Sequence, residues 1–190
     1  MSRKYLFIVL FAGVLPFGRA VAQGGASGLA RGGTSAPAAA QGDGLAPRVK
    51  AQAQKMAAAL VKGDYPTFVH FMNPAIIRMI GGEAAMKKQM ATLDSTMKKQ
   101  GATFGKIVIG DATKIVSSGK ELQCTVSQES EILAKGGSMK TKSTLIAISA
   151  DGGKTWTFLD TVNKDLAAVK QLLPNLNPAI SFPPSQRVLN

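Results

Sequence analysis

The chain has 190 residues, a formal net charge of +12, one cysteine and one histidine. A single cysteine excludes an intramolecular disulfide, and a single histidine with no cysteine cluster excludes the usual zinc-ligand spacings. The basic excess speaks to anionic partners rather than to any particular fold.

Arg3 and Lys4 precede an apolar run of 13 residues, Tyr5 to Phe17, and Ala20-Val21-Ala22 forms a small-x-small cleavage site. The run is broken by Pro16 and is shorter than the roughly 20 residues that cross a bilayer. Residues 1–22 therefore read as a removed signal peptide. The protein is expected to be exported, to the periplasm or the medium, with no transmembrane segment after cleavage. Cleavage would remove Arg3, Lys4 and Arg19 but no acid, so the remainder stays basic. Residues 23–47 are Gly, Ala, Ser and Gln without an apolar period, the composition of a disordered linker.

An α+β domain is expected over residues 48–174. The first helix is predicted over 48–62, with Val49, Ala53, Met56 and Leu60 on one stripe, and Gly63 ends it. Asp64 is placed to cap a second helix that tolerates Pro66 in its first turn, with Tyr65, Phe68 and Met72 on its apolar face. His70 lies about 200° around from Phe68 at 100° per residue, which points it to solvent. Asn73-Pro74 interrupts this helix and restarts a turn through Ile76, Ile77 and Met79. Beyond Gly81-Gly82, Glu83 opens a third helix with Met86, Met90, Leu93 and Met97 as its stripe. Lys87, Lys88, Lys98 and Lys99 lie off that stripe. Their two pairs repeat about 16 Å apart along the axis, as a solvated face or as one anion-binding ridge.

After Gly101 the apolar period changes to alternation, the mark of half-buried strands. Strands are predicted over 104–116, 121–134, 139–149 and 155–162, with hairpin turns at Ser118-Gly119 and Gly136-Gly137. Over 121–134, Leu122, Cys124, Val126, Gln128 and Ile132 share one face and Gln123, Thr125, Ser127, Glu129 and Glu131 the other. Cys124 is thus expected to be a buried, inert thiol. Asn163 is placed to cap a last short helix carrying Leu166, Val169, Leu172 and Leu173, and Pro174 stops it. Residues 175–190 read as an irregular tail.

Two segments carry chemistry. Residues 149–156, Ser-Ala-Asp-Gly-Gly-Lys-Thr-Trp, match the S-x-D-x-G-x-T-W Asp-box of sialidase-type propellers at every defining position. One copy cannot make a propeller, so the box is read as a folding device, with Trp156 packed beneath the turn. Asp160 falls on the same strand face as Trp156 and Phe158. If that face is inward, a carboxylate enters an apolar pocket, as general acids and bases do. Gln128, and Tyr65 from the helix side, would complete a polar set, so Tyr65, Gln128, Trp156 and Asp160 are the candidate ligand-binding residues. The alternative is that Asp160 simply bonds local backbone at the turn that follows.

The order of helices and strands, with Ala58-Ala59-Leu60-Val61-Lys62-Gly63-Asp64-Tyr65 leading to Phe71-Met72-Asn73-Pro74, resembles the nuclear transport factor 2-like, cystatin-like α+β superfamily in an exported bacterial member. The resemblance implies a cone: three N-terminal helices on a curved antiparallel sheet of about four strands, then a short C-terminal helix. It implies ligand-binding or dimerising modules alongside isomerase- and dehydratase-type enzymes. No Tyr, His and Asp catalytic pattern transfers position by position, and residues 76–83 are too few for the small hairpin of larger members. The expected function is therefore a non-catalytic exported binding or interaction module for a small molecule, an anionic envelope component or a second copy. Pairing of copies would run through the sheet face that carries Ile146 and Ile148. An isomerase- or hydrolyase-like enzyme using Asp160, and adhesion through the lysine ridge, are the alternatives. Neither a metal nor an organic cofactor is expected, nor a nucleic-acid partner.

Overall fold

A computed structural model of the chain describes residues 44–189. The predicted signal peptide and almost all of the predicted linker lie outside the described residues. The fold is α+β, with five helices and a six-stranded antiparallel sheet among the described residues.

Four helices precede the sheet, where three were expected. α1 (Leu45–Lys62) starts three residues early and buries Val49, Ala53, Met56, Ala57 and Ala59, while Leu60 is only half-buried. Gly63 ends it at φ 73°, a conformation costly for any residue with a Cβ. Asp64 caps α2 (Tyr65–His70) by accepting from the Thr67 amide at 3.1 Å. Asn73 does the same for α3 (Pro74–Ile80), accepting from the Ala75 amide at 2.9 Å, so the predicted turn is a helix in its own right. Gly81 and Gly82, at φ 96° and 101°, separate it from α4 (Glu83–Lys99), which buries Met86, Met90 and Met97.

The predicted first strand is two. β1 (Thr103–Ala112) carries two register shifts against its neighbour, and β2 (Val116–Ser118) resumes pairing farther along. The alternation in the sequence could not show these irregularities, because each adds residues without changing composition. β3 (Glu121–Ala134) and β4 (Gly137–Ser149) form an unbroken hairpin ladder from Leu122↔Ser149 to Ala134↔Gly137. β5 (Thr157–Asp160) and β6 (Gln186–Leu189) pair with β4 at its two ends, and β1 and β2 flank β3 in the same manner. The free side of β5 is closed by Phe71–Asn73: the Asn73 amide donates to the Phe158 carbonyl and the Phe158 amide to the Phe71 carbonyl, both at 2.8 Å.

Both faces of the sheet are covered near Cys124. One face, with Cys124, Val126, Leu145, Ala147 and Phe158 in register, belongs to the core shared with the N-terminal helices. The opposite face carries Gln123, Thr125, Ile146, Ile148 and Leu159, and these are buried as well. Their cover comes from the C-terminal end. α5 (Leu166–Leu172) is capped by Asp165 rather than Asn163, through the Ala168 amide at 2.8 Å. Asn163 instead takes φ 55° in the preceding turn. Residues 173–185 then cross the sheet as a strap that buries Leu173, Leu176 and Ile180, and the chain finishes as β6. Gln123 pins the strap: its Nε2 donates to the Asn175 carbonyl at 3.1 Å and its Oε1 accepts from the Asn177 amide at 2.9 Å. Ile146 and Ile148, 0% and 6% exposed, are thus covered within the same chain, which overturns the expectation that they pair subunits.

Candidate functional site

The four residues singled out in the sequence do not form one site. Trp156 is 1% exposed beneath the Asp-box, its indole N–H donating to the Gly153 carbonyl at 3.1 Å. Asp151 organises the box, accepting from the Lys154 amide, the Thr155 amide and hydroxyl, and the Ser149 hydroxyl. These bonds, those from Thr155 first, hold its carboxyl well below the usual carboxylate range. The box is also the docking point of α1. Gln52 donates to the Lys154 carbonyl and accepts from the Trp156 amide at 2.9 and 2.8 Å, and Arg48 donates to the Gly153 carbonyl at 3.2 Å. Trp156 is therefore packed as a structural residue of the box.

Tyr65 stands apart from the polar set it was expected to join. Its neighbour is Asp94 of α4, and burial, then that carboxylate, push the Tyr65 hydroxyl up to about 12. His70 is exposed. Cys124 is fully buried, and the loss of water pushes its thiol up to about 12, which makes it inert as a nucleophile.

Gln128 and Asp160 do meet. The Gln128 Nε2 donates to Asp160 Oδ2 at 2.9 Å, and the Val162 amide donates to Asp160 Oδ1 at 2.9 Å. Lys164 folds over this corner and donates to the carbonyls of Asp160 and Val162 at 3.2 and 3.3 Å. Burial raises the Asp160 carboxyl above its ordinary 3.8, against the lowering effect of Val162, Ser143, Lys164 and Gln128. Both carboxyl oxygens are engaged within the fold, one by the local backbone bond that the sequence offered as an alternative.

This cluster has a pH signature. The unfolded carboxyl titrates near 3.8 and the native one higher, so in the interval between them the native state binds more protons. The contribution of Asp160 to stability is full below the unfolded value and falls as pH rises through the native one. Relative to Asp160→Asn, the wild type is expected to lose stability as pH rises above the unfolded value of 3.8, read as the difference in urea midpoints. A difference that stays constant across this range would show that the carboxyl titrates normally.

Space for a ligand lies elsewhere. On the outer sheet face, between β1, β3, β4 and the strap, a groove of about 630 Å³ has Thr125, Ser127 and Thr144 on its floor and Pro183 and Pro184 on its wall. Glu129 and Lys142, 3.7 Å apart, stand at one end. Gly110 lets β1 pack closely against Ser127, because a methyl there would run into the Ser127 hydroxyl. A second cleft, of about 530 Å³, opens between α1 and α2. Asp160, Trp156 and Tyr65 line neither, whereas Gln128 lies along the groove. The signal for the groove was present in the sequence as the Thr125 and Ser127 alternation. Nothing local in the sequence shows that residues 181–186 return to wall it.

No family model matches this chain, and no curated protein is found to match it. The site must therefore be argued from its chemistry. Among the described residues no three His, Cys, Asp or Glu side chains gather as a metal site, and no helix is long and apolar enough to cross a membrane. The lysine ridge is also reduced: Lys87 pairs with Glu83 at 3.3 Å and Lys98 with Asp94 at 2.8 Å, one turn away in each case.

Proposed function

We propose that the protein is an exported, non-catalytic binding module of the nuclear transport factor 2-like kind, whose site is the groove between the outer sheet face and the C-terminal strap. The carrying observation is the chemistry of that groove. The Ser127 and Thr144 hydroxyls stand on neighbouring strands, beside the Thr125 hydroxyl that is bonded to Thr113 at 3.1 Å, and offer donors and acceptors, while two proline rings give an apolar wall. Such a surface suits a small polyhydroxylated molecule such as a sugar unit, which presents hydroxyls at its rim and C–H groups on its face. Against an Asp160 enzyme stands the engagement of both carboxyl oxygens inside the fold. Two of the four lysines of the ridge being neutralised by neighbouring acids argues against adhesion through it.

The test is a nuclear magnetic resonance titration with glucose, N-acetylglucosamine and their short oligomers. Binding should move the amide signals of Thr125, Ser127 and Thr144 together and saturate. Ser127 is exposed, so Ser127→Trp should fill the groove without unfolding the sheet and weaken binding at least about tenfold, roughly 1.4 kcal/mol. Undiminished binding by this variant, or shifts confined to other residues, would remove the groove as the site.

A further inference from the structure

We propose that the cleft between α1 and α2 is a second binding site, for a soluble anion with a compact apolar body, of the class of aryl phosphates or aryl carboxylates. Its volume of about 530 Å³ lies within the range of small-molecule sites. Lys55, Lys62 and His70 stand around it, and Ala58, Pro66 and Phe71 line it with apolar surface.

The charge around this cleft is in excess for a reason that starts in the sequence. α1 carries Arg48, Lys50, Lys55 and Lys62 and not one acid. Arg48 is spent on the Gly153 carbonyl, and Lys50 on Asp111 at 2.7 Å. Lys55 and Lys62 have no ion-pair partner among the described residues. They border the same cleft from positions two turns apart, about 10 Å along the helix. Asp64 is the acid at the rim, and its carboxylate is occupied in capping α2. Bonds from Thr67, and then the charge of Lys62, hold that carboxyl below its usual range.

The apolar part of the cleft restricts what anion fits. Phe71 is half-buried and takes the His70 ring edge-on, with centroids 5.4 Å apart and planes at 73°. A bare phosphate would leave this surface wet, and a neutral aromatic molecule would leave the ammonium groups unpaired. A molecule with both parts uses the whole site. A lipid surface fits poorly, because the apolar stripe of α1 is turned into the core and the helix offers a bilayer no continuous apolar face.

The experiment titrates 2-naphthyl phosphate, inorganic phosphate and 2-naphthol separately into the full chain, following the imidazole proton signals of His70, the only histidine. Expected is a saturable shift with 2-naphthyl phosphate, at least tenfold tighter than with inorganic phosphate, no saturation with 2-naphthol, and weakening with added salt. Lys55→Glu/Lys62→Glu, two exposed positions, should weaken binding tenfold or more, while Lys120→Glu in the distant β2–β3 turn leaves it unchanged. The near-ultraviolet dichroism of Trp156 verifies that each variant is folded. No shift at His70, equal affinity for the two phosphates, binding unaffected by the double substitution, or a response confined to phosphatidylglycerol vesicles would each overturn the proposal. Because this site shares no residue with the sheet groove, its failure leaves the groove reading untouched.

Discussion

Trp156→Ala is expected to destabilise the protein by about 3–5 kcal/mol, the cost of deleting a large aromatic side chain from a packed interior. The indole is 1% exposed, so its removal leaves a cavity rather than a surface dent. It also frees the Gly153 carbonyl from the indole N–H, although Arg48 still reaches that oxygen. The packing loss therefore dominates over the hydrogen bond, whose net worth is about 1 kcal/mol. Urea unfolding of wild type and variant gives the number directly. A loss under about 1.5 kcal/mol would mean that the box collapses to fill the space, and that the tryptophan is not what anchors this end of the sheet.

Removal of residues 175–190 should be comparably damaging. The segment buries Leu176 and Ile180, 7% and 5% exposed, each worth about 1.5–3 kcal/mol of transfer free energy. Without it, Gln123 also loses its bonds to the Asn175 carbonyl and the Asn177 amide. Ile146, Ile148 and Leu159, buried in the intact chain, lie on the face that the strap covers and would be opened to water. A loss of about 3–6 kcal/mol is expected from the burial of Leu176 and Ile180. Self-association of the truncated chain should follow from the uncovered apolar face. Sedimentation velocity and denaturant titration check both. A truncated chain that is monomeric and within about 1 kcal/mol of wild type would show that the strap adds little.

Local patterns in the sequence were a good guide wherever the deciding physics was local. Asp64 caps its helix through an amide three residues away, the Asp-box closes through bonds spanning no more than four residues, and β3 runs unbroken from Glu121 to Ala134. Errors arose where remote segments decide the outcome. Gln123, Ile146 and Ile148 were placed on the correct side of the sheet, but their burial depends on a strap some 30 to 50 residues downstream. Helix periodicity places Tyr65 on the apolar face and cannot reveal that Asp94 of a later helix stands beside it. Asp160 and Gln128 were paired correctly because strand alternation and hairpin register are enough to bring them together. Helix count failed at Asn73-Pro74, where a cap and a proline in the first turn favour starting a new helix as much as ending the old one.

The attachment of α1 to the Asp-box also sets a schedule. Its side-chain bonds link Arg48 and Gln52 to residues 102 to 105 positions later in the chain. A ribosome adding 5–20 residues per second needs roughly 5 to 20 s to cover that distance. Throughout that time the first helix has been synthesised and the turn that receives Arg48 and Gln52 has not. α1 can meet β1 well before then, so the bonds to the box are the last part of its attachment open to the growing chain. Nascent chains that stop short of Trp156 should lack the box bonds and so leave residues 45–52 more protease-sensitive than chains that include it, while β1 already holds the rest of α1.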